Sequence, residues 1–171
     1  MGEGSGGLEP ASSIVDACVA ERVAVYRTLL AITGDPGLAE EIAQEAVARG
    51  IERAAQYRGP APVGAWLHRI ALNAWRDHLR RQRMRRWVGL DRAEAIPAED
   101  RAATPADLVD MRRALARLPP RQRAALVLRY YHDYDYAAVG AALGITEGSA
   151  GALLSRALDR LRTELQEPPP A

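Results

Sequence analysis

Seven arginines fall between residues 66 and 87, and Asp77 is the sole acid among them, so this stretch carries a net charge of +6. The flanking segments are acidic: residues 1–65 hold 5 Arg against 9 acids, and residues 88–111 hold 2 Arg against 6. Residues 112–171 add 9 Arg against 6 acids, and the whole sums to +1. A cationic stripe framed by acidic segments is the pattern that a polyanionic ligand selects. There is no lysine; the planar fork of Arg fits phosphates and guanine edges, although a GC-rich genome gives the same bias. Placed on a helix at 100° per residue, Arg69, Asn73, Arg76, Arg80 and Arg83 occupy one narrow sector, while Leu67, Ile70, Ala71, Ala74 and His78 lie on the other side. Like charges so close repel and cost stability until an anion neutralises them, and Arg and Asn are the side chains best shaped for base edges. Trp66, Trp75 and Trp87 add flat surfaces for stacking unpaired bases. A solvated charged face beside buried tryptophans remains the plain alternative.

Other chemistries find little support. Cys18 is the only cysteine, so neither an internal disulfide nor a cysteine-based zinc cluster is expected, and it reads as a small core residue. His68 and His78 have no partners at metal-ligand spacing and read as packing or surface residues. His132 with Asp133 and Asp135 forms a tempting trio, but neighbouring positions on a helix do not face each other. With no Ser/His/Asp set and no phosphate-cradling glycine loop, neither catalysis, a metal nor a cofactor is expected.

The elements that position these residues are expected to be all-α. Apolar residues make up 48% of the chain, aromatics 5%, and Phe is absent, so cores rest on Leu, Ala, Val and Ile, a composition that favours helices. Helical periodicity runs from about Ser13 to Thr33 and, after the break Gly34-Asp35-Pro36-Gly37, from Leu38 to Tyr57, with Glu41, Gln44, Glu45 and Glu52 on a polar face. After Gly59-Pro60-Ala61-Pro62 it resumes from Val63 to Arg86. Between about Val88 and Pro105 the periodicity collapses; a structureless run of that length reads as a linker between two small domains. Helices near 106–117, 120–132, 136–143 and 147–165 follow. The expected organisation is a disordered segment 1–12, a helical domain 13–87, a flexible linker 88–105, a second helical domain 106–166 and a tail 167–171. No apolar run approaches the roughly 20 residues of a membrane span, and the start lacks signal-peptide features, so membrane insertion is not expected and a cytoplasmic location is.

In the second domain, Tyr136 to Leu161 reads as a helix-turn-helix, with Gly144 as the turn residue and Thr146 as the next N-cap. Ala150, Leu154, Ala157, Leu158 and Leu161 form its buried face. Gly148, Gly151, Ala152, Ser155, Asp159 and Arg162 then face the groove, a side poor in donors. Arg156 and Arg160 flank it within reach of phosphates, and Arg121 and Arg123 are further phosphate candidates.

These stretches resemble the extracytoplasmic-function sigma factors of RNA polymerase. GDPGLAEEIAQEAVARGIERAAQYR and AWLHRIALNAWRDHLRRQR are similar to that family's region 2, and LPPRQRAALVLRYYHDYDYAAVGAALGITEGSAGALLSRALDRLR to its region 4. The resemblance implies a protein that brings core polymerase to specific promoters and helps melt them. It implies that Glu41, Gln44 and Glu45 dock on the coiled coil of the largest polymerase subunit. It gives Asn73, Arg76 and Arg80, with Arg69 and Arg83 beside them, to the minus-ten element, where Tyr57 and Arg58 hold a flipped base. It gives Thr146, Ser149, Ser155 and Arg156 to the minus-thirty-five element. The polymerase flap and an anti-sigma factor are further partners of the family, whose linker threads toward the polymerase active centre. Three positions depart from its pattern: Gly151-Ala152-Leu153 replaces a Lys-Ser-Arg run, Val47 an aromatic residue, and Gly37-Leu38 an acidic pair. Two rival readings stay open: a regulator using only its helix-turn-helix, and a degenerate sigma-like protein acting through protein contacts.

Overall fold

The computed structural model describes residues 11–87 and 106–166, with side chains described from 13 to 85 and from 110 to 166. The expected linker 88–105, the tail 167–171 and residues 1–10 lie outside the described residues. Among the described residues the regular elements are all helical: α1 (Ala11–Ala20), α2 (Arg22–Thr33), α3 (Pro36–Glu52), α4 (Val63–Trp87), α5 (Ala106–Arg117), α6 (Pro120–Leu126), α7 (Tyr136–Leu143) and α8 (Glu147–Gln166). A 3-10 turn, Ala54–Gln56, follows α3, and a π-helical turn, Val127–Tyr131, extends α6.

Most boundaries follow from local chemistry. Pro36 sits in the first turn of α3, and the Asp35 carboxylate accepts from Gly37 N at 2.9 Å and Leu38 N at 3.0 Å, meeting two of the donors a helix start leaves open. Asp135 caps α7 in the same way, accepting from Ala138 N at 2.7 Å. Three boundaries differ from expectation. The helix expected over 38–57 ends at Glu52, and the 3-10 turn Ala54–Gln56 follows in its place. The helix expected over 13–33 begins at Ala11 and divides at Glu21 into α1 and α2. The helix expected over 120–132 changes to π geometry at Val127, where His132 N reaches back five residues to Val127 O at 3.3 Å.

In the first half, α3 packs between α2 and α4 with α1 across it, burying Ile42, Ala43, Ala46, Leu67, Ala71 and Ala74. In the second, α8 receives α5, α6 and α7 around Ala125, Leu128, Val139, Ala150, Leu154 and Ala157. The two helical domains do not stand apart: α4 packs on α7 and α2 on α6, so the buried residues form one continuous core. The reason lies in α7. Ala138, Val139, Gly140 and Ala142 are all buried, more apolar surface than one partner helix can cover. A fully buried Val side chain is worth roughly 1.5–3 kcal/mol over an exposed one, and closing the two domains over α7 supplies that burial.

Candidate nucleic-acid interface

α4 divides as its periodicity predicts. Leu67, Ile70, Ala71 and Ala74 are buried, while Arg69, Asn73, Arg76, Arg80 and Arg83 are exposed. The arginines are not consumed by internal acids. Arg76 donates to Asn73 Oδ1, and Arg80 lies 3.5 Å from Asp77 on the open surface, where such pairs contribute at most about 1 kcal/mol. Arg69 is set apart, since a Cβ added at Gly144, in the turn before α8, would meet its Nε at 3.7 Å. The tryptophans differ from expectation. Trp75 is 6% exposed and belongs to the core, so it is no stacking surface as the chain stands. Trp66 is half-buried, with Tyr57 edge-on at 5.4 Å. Trp87 lies beyond the described side chains. Tyr57 donates from its hydroxyl to Ala61 O, and Arg58 to Tyr57 O at 3.0 Å, so the loop between α3 and α4 is shaped by its own hydrogen bonds.

The acidic side of α3 is exposed at Glu41 and Gln44 and half-exposed at Glu45, which pairs with Arg49 at 2.5 Å. Glu40, absent from the sequence-derived site, joins this face. It accepts from Arg22 at 2.5 Å and from Gln44 at 2.7 Å. Those bonds, Gln44 first and Arg22 next, hold its carboxyl below the usual range. Its spacing of four residues from Gln44 was the available signal.

α7 and α8 meet at 94°, within the range of a helix-turn-helix. Gly144 takes φ +67° in the turn, a left-handed conformation that favours Gly. A Cβ on Gly140 would stand 2.8 Å from Ile145 O, so only Gly lets the turn fold back on α7. Thr146 caps α8: its hydroxyl accepts from Ser149 N at 3.2 Å and donates to Ser149 Oγ at 2.8 Å. Gly148, Ala152, Ser155, Arg156, Asp159, Arg160 and Arg162 are exposed. Asp159 pairs with Arg162 at 2.9 Å and Arg160 with Glu164 at 3.9 Å. Arg121 is exposed, donating to Leu143 O at 3.3 Å. Arg123 departs from its expected place among the phosphate candidates: its guanidinium turns inward, donating to Ala116 O at 2.6 Å and Leu118 O at 3.2 Å, and to Ile32 O across the domain boundary. The carbonyls at the end of α5 carry the negative end of its dipole and hold a cation well.

One cluster was missed. Thr28 and His68 from the first domain meet His132 and Tyr134 from the second. His132 therefore serves no trio with Asp133 and Asp135.

Comparison with known proteins gives two family matches: Sigma-70 region 2 over residues 19–85 and Sigma-70 region 4 over residues 108–161. The chain is 36% identical over 123 residues to the ECF RNA polymerase sigma factor SigM of Mycobacterium tuberculosis, covering 72% of this chain and 62% of SigM, so it spans less than two thirds of that relative's length. It is 31% identical over 172 residues to the ECF RNA polymerase sigma factor SigL of the same species, covering 98% of this chain and 97% of SigL. Among solved structures, the sigma factor RpoE crystallised with the anti-sigma factor NepR from Bartonella quintana shares the fold, with a TM-score of 0.75 at 20% identity over 91% of this chain and 98% of that one.

Proposed function

Because the chain belongs to the ECF RNA polymerase sigma factors, we propose that it directs core RNA polymerase to specific promoters, assists their melting, and contributes no catalysis of its own. The observation that carries this reading is the exposed arginine face of α4 set in one chain with a capped helix-turn-helix. In this reading residues 13–87 act as region 2, 106–166 as region 4, and 88–105 as their connection, and the protein works in the cytoplasm. Glu41, Gln44 and Glu45, joined by Glu40, dock on the largest polymerase subunit. Asn73, Arg76, Arg80 and Arg83 take the minus-ten strand as the duplex opens, with Tyr57 and Arg58 holding an unstacked base. A prepared pocket offsets the few kcal/mol of unstacking. Arg121, Arg156 and Arg160 hold phosphates of the minus-thirty-five duplex, while Thr146, Ser149 and Ser155 set the helix start against it. Arg69, exposed beside the Gly144 turn, completes the minus-ten face, while Arg123 stays turned toward Ala116 O and Leu118 O of its own domain and supports the helix start rather than a phosphate. An anti-sigma factor, as RpoE has in NepR, is a further partner.

Run-off transcription with core polymerase and a genomic promoter library tests the proposal. Specific initiation is expected, and its absence would remove the sigma reading. The bare exposed side of α8, with Arg162 paired to Asp159, favours one second reading: a sigma-like protein that engages polymerase and reads duplex DNA weakly. That version predicts polymerase binding without specific initiation.

A further inference from the structure

Besides the Arg123 bond to Ile32 O, one cluster of polar side chains crosses the seam between the two domains. There Thr28 Oγ1, on α2, stands 2.9 Å from His68 Nε2, on α4, and 2.6 Å from His132 Nε2, in the turn after α6. His68 Nδ1 stands 2.8 Å from Gly64 O and 3.2 Å from the Tyr134 hydroxyl. The two imidazole centroids are 5.1 Å apart. His68 and Thr28 are buried, and Tyr134 and His132 are half-buried. We propose that Thr28, His68, His132 and Tyr134 form a proton-sensitive polar latch that holds the two helical domains closed, and that protonating its histidines releases them.

With both rings neutral, the four side chains can hydrogen-bond to one another. His68 Nδ1–H donates to Gly64 O, with the Tyr134 oxygen as a second acceptor. That leaves His68 Nε2 bare to accept the Thr28 hydroxyl proton, which it shares with Ala24 O at 3.1 Å, and Thr28 in turn accepts from His132 Nε2–H. One hydroxyl thus joins a histidine of each domain. Because a buried polar group without a partner is costly, His132 of the second domain depends on Thr28 of the first, whereas His68 keeps Thr28 and Gly64 O within its own domain and gains the Tyr134 hydroxyl from across the seam. The local backbone is built for this contact. The π turn Val127–Tyr131 and the left-handed Asp133, φ +54°, bring His132 and Tyr134 to the seam. A Cβ on Gly64 would stand 2.7 Å from the Tyr134 oxygen and 2.9 Å from the Glu21 carboxylate, so Gly is what lets α4 approach that closely.

A positive charge has poor standing here. Burial, with His132 nearby, holds His68 down to about 4. Burial and the Arg27 charge hold His132 below its ordinary value. The groups facing the cluster are Glu21 from the α1–α2 junction, beside Tyr134; Arg27 from α2; and, from the turn after α6, Tyr131 edge-on to His132 at 4.9 Å and Arg129, which donates to Tyr134 O at 2.9 Å. α7 brings only Tyr136, and the Arg123 of α6 is held by Ile32 O one helical turn along α2. Burial and Glu21 push the Tyr134 hydroxyl up to about 12, so it stays protonated.

The sign follows from linkage. A histidine held low in the closed form and restored to about 6.5 in the open form binds protons preferentially when open. Closure is therefore at full strength above about pH 6.5 and weakens as pH falls toward 4. From His68 alone, the open-to-closed ratio rises about tenfold between pH 7.5 and 5.5, and His132 adds to it.

The test is single-molecule energy transfer on the full chain, with dyes at Glu52→Cys and Thr163→Cys in a Cys18→Ala background, and helicity followed on the same samples. Between pH 7.5 and 5.5 the open population is expected to rise about tenfold with helicity retained. The double variant His68→Gln, His132→Gln is expected to be flat across that range. Thr28→Val is expected to be more open at both pH values, and Thr28→Ser to behave as the parent. A ratio that ignores pH, a double variant that responds like the parent, a Thr28→Val chain as closed as Thr28→Ser, or lost helicity in place of separation would each overturn the latch. Core polymerase binding plays no part in these outcomes, so failure of the sigma reading would be seen separately, in transcription.

Discussion

At Gly151 a side chain would enter open space, and the same holds at Gly148. The resemblance that assigns α8 to the major groove puts a basic residue near this point, and here the helix carries only backbone. Gly151→Lys is expected to do two things at once. Replacing an interior helix Gly raises stability by up to about 1 kcal/mol, read as a higher midpoint in denaturant. If the exposed side of α8 lies against phosphates, the slope of log affinity on log salt should steepen by about 0.9, one counterion, read by anisotropy with a minus-thirty-five duplex. A more stable protein with an unchanged slope would take α8 off the backbone. The arginine face of α4 and the bareness of α8 were both legible in the sequence, because each depends only on helical period. Arg123 was not. Its partners are carbonyls, which composition never reveals, and one of them lies 91 positions away.

On the scale of elements, α3 and α4 give separable expectations. Reversing Glu41 and Glu45 to Arg breaks one surface pair, Glu45–Arg49, worth at most about 1 kcal/mol to the fold. A loss of core-polymerase affinity well beyond tenfold, with unchanged thermal stability, is therefore expected and is measurable in a binding titration. Unchanged affinity would count against α3 as the docking helix. Replacing Arg76 and Arg80 with Ala removes two exposed cations and no buried contact, so promoter opening, read by permanganate footprinting, should fall more than polymerase binding. Equal loss in both would point to misfolding. Helix types and most ends were legible, since Pro36, Gly144 and Thr146 punctuate the pattern. The division at Glu21 was not, because no Gly or Pro marks it and apolar periodicity continues on both sides. The π turn left no mark either, since it widens a helix without changing residue types.

The whole molecule holds a tension between its closed form and the work proposed for it. The helices of both halves were legible; the joining of their buried residues into one core was not, because the small apolar residues of α7 are equally well explained by α8 alone. A compact chain of 171 residues has a radius of gyration near 16 Å. Minus-ten and minus-thirty-five elements are about 25 base pairs apart, or about 85 Å at 3.4 Å per step. The closed form cannot touch both, so promoter recognition requires the domains to separate. Each domain is about 30 Å across by the same scaling, leaving about 55 Å to be bridged between facing surfaces. Residues 88–105 supply 18 positions, which reach at most about 60–65 Å fully extended. The margin is narrow, and it makes linker length a sharp variable. Deleting nine of these residues shortens the reach to about 30 Å, so specific initiation should be lost while polymerase binding through α3 persists. Lengthening the segment to 36 residues of Gly and Ser should leave initiation intact. It should also raise the open-to-closed ratio of the free chain about threefold, since each doubling of a loop costs about 0.6 kcal/mol of closure. Run-off transcription reads the first pair of outcomes and energy transfer the last. Full initiation from the shortened chain would mean that the two helical domains do not grip both promoter elements together.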